Sequence, residues 1–252
     1  MLNSDVRKLL DIINDKGYRA YIVGGFVRDE LFGFTNYDVD IVTDTPKSLL
    51  LELFKKYNPT VFKYDTIKFK YGSYSIDIAH IRKEEYVDGV IMVSFSENLI
   101  EDYNRRDFTI NAIYMDKDEK ITDYGSGVDD CKNKVLRFIN NPQVKCKEDP
   151  TRLFRGIYLV LKYDLIDYTD IFKVILNKED ILSCDFNALN KILIKILKLG
   201  KYEEFISILD KCNAFDIIFK NRPNLKPNYK PLDFLNDFNY IYLDKIKIIN
   251  IT

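Results

Sequence analysis

The stretch Tyr21–Asp44, "YIVGGFVRDELFGFTNYDVDIVTD", limits the possible fold more than any other part of this chain. "AYIVGG" reads as a short buried strand running into the adjacent glycines Gly24 and Gly25. Paired glycines there allow a sharp turn and a close backbone approach. "VRDELFG" follows as a short helix closed by Gly33, and "YDVDIVT" alternates and is β-branched, as a strand does. Side chains at i and i+2 of a strand share a face. Asp38 and Asp40 therefore project together from an otherwise apolar strand.

The pattern around this stretch extends it into a mixed sheet with helices. Val6, Leu9, Leu10 and Ile13 have helical spacing, and Gly17 stops that helix. "TPKSLLLELFKKYN" opens on a Thr cap and an early Pro and continues as an amphipathic helix. "TVFKYDTIKFKY" and "YSIDIAHI" read as strands of a hairpin turning at Gly72 and Ser73. "SENLIEDYNRRD" reads as helix, while "FTINAIYMD" and "KITDY" fit helix or strand.

Beyond residue 130 the alternation stops. "EDPTRLFRGIYLVLKYDL", "YTDIFKVILNKED", "FNALNKILIKILKLG" and "KYEEFISILDKCNAFDIIF" carry apolar residues at i, i+3 and i+4, the mark of a helical array. "NRPNLKPNYKP", with three of the seven prolines, is a loop. The expected class is α+β: a mixed-sheet head over residues 1–140 and an all-α segment over residues 141–252.

Composition narrows the chemistry. His80 is the only histidine, which argues against triads and His-rich metal sites. Cys131, Cys146, Cys184 and Cys212 form no C-x-x-C pair and read as reduced thiols. The amphipathic start lacks a signal-peptide pattern and no apolar run is long enough to span a bilayer, so the expectation is a cytoplasmic protein without a membrane partner. Residues 1–130 hold 17 Lys and Arg against 24 Asp and Glu, and residues 131–252 hold 21 against 15. An acidic half followed by a basic one fits either compositional drift or metal binding in the first half and a polyanion in the second, and the asymmetry alone does not decide between them.

Two carboxylates about 6–7 Å apart along a strand repel one another and call for a cation. Aspartate and Mg²⁺ match as hard ligand and hard ion. Two ions about 4 Å apart could span Asp38 and Asp40, one activating a hydroxyl and the other holding a triphosphate. Gly24 and Gly25, with Arg28 one turn into the helix, would suit phosphate. A bare D-x-D is short and common, and alone it reads as a solvated, turn-proximal acidic pair.

Taken together, "GGFVRDELFGFTNYDVDIVT", "NRRDFTINAIYMD" (104–116), "GSGVDDCKNKVLRFI" (125–139) and "EDPTRLFRGI" (148–157) resemble, in order, the motifs of the bacterial class II tRNA nucleotidyltransferase / poly(A) polymerase family. The resemblance covers residues 18–160 and continues more weakly to about residue 219. It implies a nucleotidyltransferase-type head with a helical neck and body. It also implies template-independent, Mg²⁺-dependent addition of CMP and AMP, from CTP and ATP, to a tRNA 3′ end. Asp38 and Asp40 would hold Mg²⁺, and Asp77 would be the third catalytic acid where the family usually has Glu. Gly24, Gly25 and Arg28 would seat the triphosphate, and Arg106, Asp107 and Asn111 the ribose and phosphates. Asp149, Arg152 and Arg155 are expected at i, i+3 and i+6 of one helix as nucleotide-binding residues, and Asp149 with Arg152 would select the base; aspartate accepts and arginine donates in a plane, as a complementary base edge does.

The chain departs from the family in two places. "YVDGVIMVSFSENL" (86–99) keeps Asp88-Gly89 but lacks the Arg and Pro that follow in the family, and it is shorter. Family members also commonly run well beyond the length of this chain, with body and tail domains that grip tRNA. Poly(A) polymerase activity, CC-only addition, a toxin-like nucleotidyltransferase modifying tRNA or protein, and a non-catalytic RNA-binding module remain alternatives. Oligomeric state is not legible in the sequence.

Overall fold

The computed structural model describes residues 4–87, 90–222, 224–226 and 229–241, in two compact units, Met1–Asn133 and Lys134–Thr252. The division falls before the expected 140/141 boundary. Val135 bridges to Asp167, and the Phe138 amide donates to the Asp170 carboxylate at 3.0 Å. Those contacts tie the connecting stretch to the helical unit.

The first unit runs α1 (Ser4–Asn14), β1 (Ala20–Val23), α2 (Gly25–Leu31), β2 (Asp38–Thr43), α3 (Lys47–Leu53), β3 (Thr60–Val61), β4 (Ile67–Tyr71), β5 (Tyr74–His80), β6 (Arg82–Val87), β7 (Val90–Phe95), α4 (Leu99–Arg105), β8 (Ile113–Met115), β9 (Ile121–Asp123) and α5 (Gly127–Asn133). Seven strands make one sheet in the order β3-β4-β5-β2-β1-β8-β9. β2 and β5 are parallel, and the other pairs in it are antiparallel. The core face is read directly from alternation: Val39 and Ile41 on β2, Ile76 and Ile78 on β5, and Ile67 and Phe69 on β4 are buried. Their neighbours Asp38, Asp40, Asp77, Lys68 and Lys70 take the other face.

The β4–β5 hairpin closes through Gly72 and Ser73 between paired Tyr71 and Tyr74, and Gly72 has the positive φ (58°) that such a turn needs. "TVFKYDTIKFKY" is not one strand. Tyr64 and Asp65 take positive φ and break it into β3 and β4. β6 and β7 form a separate two-stranded sheet, and the Asp88-Gly89 dipeptide lies outside the described residues.

The second unit contains α6 (Pro142–Glu148), α7 (Thr151–Tyr163), α8 (Lys178–Leu182), α9 (Phe186–Lys198), α10 (Tyr202–Lys211), α11 (Phe215–Ile218) and α12 (Pro231–Asp237). "YTDIFKVILNKED" forms a short 3₁₀ turn over Thr169–Lys173 and then α8, rather than one helix. Phe205, Phe215, Phe219, Phe234, Phe238 and Tyr240 are buried together in an aromatic core. Tyr163 and Tyr229 are buried, and Tyr202 stacks on Phe234; these tyrosines serve packing. No helix among the described residues is long and apolar enough to cross a membrane.

Candidate active site

The acids sit where the open face of the sheet meets the glycine turn. β1 pairs with β2 so that Val23 stands opposite Asp40, which brings Gly24 onto the Asp40 carboxylate. Gly24 has φ 80°, and a Cβ placed there would lie 3.1 Å from Asp40 Oδ2. The left-handed conformation favours glycine, and any Cβ there would press the Asp40 carboxylate back by a few tenths of an ångström. A Cβ at Gly25 would meet Arg28 Nη2 and Asn36 Nδ2, each at 3.3 Å.

Four of the predicted residues of the first unit, Asp38, Arg28, Asn111 and Asp107, are joined by one hydrogen-bonded chain that runs through Asn36 and Asp29. Asn36 Oδ1 accepts from the Asp38 amide at 2.8 Å, and Asn36 Nδ2 donates to Asp29 Oδ2 at 3.0 Å. Asp29 Oδ1 accepts from Arg28 Nη2 at 2.8 Å, and Arg28 Nη1 donates to Asn111 Oδ1. Asn111 Nδ2 donates to Asp107 Oδ1 at 3.0 Å. Arg28, expected to reach a triphosphate, is buried and held by Asp29 and Asn111. Here it braces the turn against the "RRDFTIN" segment.

Arg106 is set by a second cluster. Its Nε donates to Asp102 Oδ2 at 2.8 Å and lies 3.1 Å from the Tyr114 hydroxyl, which itself donates to Asp102 Oδ2 at 2.8 Å. Arg105 contacts the other Asp102 oxygen at 2.6 Å. Asp102 and Tyr114 are fully buried. Burial pushes the Asp102 carboxyl up, but Arg106 and Arg105 outweigh it and hold it below the usual range. Burial likewise works against the charge on Arg106, and Asp102 and Tyr114 more than restore it.

Asp38 and Asp40 are exposed on β2, and Asp40 stands opposite Asp77 in the parallel register. Crowding by protein pushes the Asp40 carboxyl up to about 6; Arg106 and Lys68 oppose this, and Asp77 and Asp38 add to it. Water still reaches the residue from the open side of the sheet. Asp77 carries Lys68 as a partner: Nζ lies 2.9 Å from Oδ1 and donates to Oδ2 at 3.1 Å. The Oδ1 contact is close but misdirected, so this buried oxygen has an ionic neighbour without a hydrogen bond. Among the described residues no three acids, histidines or cysteines close on one point. The donor set is two exposed carboxylates, which suits a hard cation that keeps water and takes further oxygens from a phosphate.

In the second unit, Asp149 is not helical. Its backbone is extended (φ −150°, ψ 98°), and α7 begins at Thr151 because a residue before proline is driven out of the α region. Its carboxylate accepts from the Thr151 amide at 3.0 Å and from Arg155 Nη2 at 2.9 Å. Arg152 is buried and donates to Glu148 Oε2 at 2.5 Å and to the Lys145 carbonyl at 2.9 Å. Asp149 pairs with Arg155, and Glu148 with Arg152 and Lys145, while the extended backbone of Asp149 keeps it off the helix that carries Arg152 and Arg155.

His80 is half-buried, with Nδ1 2.9 Å from the Ile81 carbonyl and its ring against Phe95. No disulfide links the cysteines, and burial pushes the Cys131 and Cys212 thiols to about 12 and Cys184 to about 11. Sequence reasoning missed Asp29, Asn36, Lys68, Asp102 and Tyr114. Asp29 and Asn36 lie inside the opening motif, but their partners are fixed only by the turn.

Residues 20–137 match the family model of the poly A polymerase head domain. The CCA-adding enzyme of Lactobacillus helveticus is 38% identical over 167 residues, 64% of this chain and 42% of that enzyme. The CCA-adding enzyme of Staphylococcus aureus is 30% identical over 244 residues, 94% of this chain and 58% of that enzyme. The chain therefore spans about half the length of the curated relatives it matches. The fold agrees with the Bacillus stearothermophilus CCA-adding enzyme solved in complex with CTP, with a TM-score of 0.72 at 23% identity over 83% of this chain and 52% of that one. The glycine turn, the exposed acids of β2 and the "RRDFTIN" segment thus all lie within residues 20–137, the stretch that matches the poly A polymerase head domain.

Proposed function

We propose that this chain is a template-independent RNA 3′-nucleotidyltransferase that adds CMP and AMP, from CTP and ATP, to the 3′ end of tRNA. The observation that carries this reading is the pair Asp38 and Asp40, side by side on the open face of β2, with the Gly24 backbone against one of them. Asp38 and Asp40 would hold Mg²⁺, with Asp77 as the third acid of the site. A divalent cation there supplies charge neutralisation to a triphosphate and acidity to a hydroxyl. The turn at Gly24 and Gly25, braced by Arg28, would let the triphosphate approach the backbone. Arg106, with Asp107 and Asn111 beside it, would orient the ribose and phosphates. The 3′-hydroxyl would then attack the α-phosphorus in line and release pyrophosphate, by positioning and electrostatics without a histidine. Asp149 and Arg152 would choose the base, with Arg155 a further nucleotide-binding residue, and a tRNA substrate fits a cytoplasmic location.

The matched head-domain family is described by poly A polymerase, so addition of A alone is the competing reading. One assay separates the two. The chain is incubated with Mg²⁺, each nucleotide singly, and tRNA ending at the discriminator base, at C or at CC. Two C and one A followed by a stop supports CCA addition; long A tails on many RNAs replace it with poly(A) synthesis. Bound nucleotide with no incorporation on any RNA rejects both.

A further inference from the structure

The open face of the sheet carries a cation that the reading above leaves unused. In β4, Ile67 and Phe69 are buried while Lys68 and Lys70 point to the same face as the acids. Lys68 stands opposite Asp77, and Asp77 opposite Asp40, so one row across three strands reads Lys68, Asp77, Asp40. The next row reads Lys70, Ser75, Asp38. Both oxygens of Asp77 face the Lys68 ammonium, at 2.9 and 3.1 Å. The hydrogen bond to Asp77 raises the lysine's pKa against the effect of burial, and Asp77, Asp38 and Asp40 add to the rise. Three carboxylates and one ammonium leave a charge that a single divalent ion balances. A second ion would have to displace Lys68 from Asp77 before it could use that carboxylate.

We propose that Lys68 is the resident counter-ion of this acid row. It occupies Asp77 and leaves Asp38 and Asp40 to hold one divalent cation in the nucleotide-free chain. The inference rests on the reading of Asp38 and Asp40 as metal ligands, and it makes Asp77 a positioning residue for Lys68. Because the Lys68 side chain is 45% exposed, truncating it removes little packing.

The test is a Mn²⁺ titration of the whole chain without nucleotide at neutral pH, followed by the electron paramagnetic resonance of the free ion. Circular dichroism checks the fold of each variant. The expected stoichiometry is one ion per chain for the wild type and for Lys68→Arg, which keeps the charge. Lys68→Met should bind two, and Lys68→Met with Asp77→Asn should return to one. Two ions in the wild type, one ion in Lys68→Met, or two in the double variant each overturns the inference while leaving the metal reading intact. No ion in the wild type rejects the metal reading itself and the inference with it.

Discussion

At the scale of single residues, the site concentrates groups that function needs and stability does not. Asp40 has its pKa raised from 3.8 to about 6, first by burial. A carboxyl with a raised folded-state pKa contributes stability at low pH that is lost as pH rises through the interval from 3.8 to about 6. Asp40→Asn should therefore stabilise the metal-free chain at neutral pH, by about 1 kcal/mol once screening by the open solvent side is allowed for. The same change should abolish nucleotide incorporation; denaturant melts and a primer-extension assay check the two halves. Metal binding needs the carboxylate, so Mn²⁺ affinity should fall about tenfold for each pH unit below about 6. A flat affinity from pH 7 to 5 would show that Asp40 is not a ligand. Asp102 behaves in the opposite way. Its removal takes from two largely buried arginines the carboxylate they share, and leaves Arg105 with Glu84 at 3.6 Å. Asp102→Ala should cost about 3–5 kcal/mol, and Tyr114→Phe, which loses the hydrogen bond to Asp102 and the one from Arg106, about 1.5–3. Equal small losses in both variants would dismiss Asp102 as the anchor of Arg106.

At the scale of elements, short pieces are fixed by their neighbours more than by their own propensity. α5 has only seven residues and opens at Gly127, where a Cβ would fall 2.3 Å from the Thr109 carbonyl oxygen. That contact is with backbone and cannot be relieved by a rotamer change. Gly127→Ala should destabilise the first unit by about 1–3 kcal/mol, read by thermal melting, whereas an alanine at exposed Lys132 should be close to neutral. Legibility follows the same logic. α1, β2 and α9 were readable because their apolar periodicity is long or uninterrupted. The breaks at Tyr64 and Asp65 and after Lys173 were not, because a few positive-φ residues or a 3₁₀ turn leave no periodic mark. Asp149 was misplaced although the cause was in view: Pro150 ends the preceding residue's access to the helix.

At the scale of the whole molecule, the two units carry opposite charge balances, and RNA should be held by the basic one. Lys191, Lys195 and Lys198 are exposed on α9 at spacings of four and three residues, which aligns them on one side of the helix. Changing all three to Glu should weaken tRNA binding at least tenfold and flatten its salt dependence, while nucleotide binding in the first unit stays unchanged. Fluorescence anisotropy across a salt series measures both. The division of labour between sequence and tertiary structure is now plain. The sequence by itself determined that Asp38 and Asp40 share a face, that glycines precede them, and that a sheet-based head is followed by helices, because periodicity and glycine conformation are local properties. Only the tertiary structure decided that Arg28 braces the turn through Asp29 and Asn111, that Asp102 and Tyr114 hold Arg106, and that Lys68 faces Asp77. Those pairings depend on strand order and register, and register is set by the packing of distant apolar residues such as Ile67, Ile76 and Ile41 on the buried face.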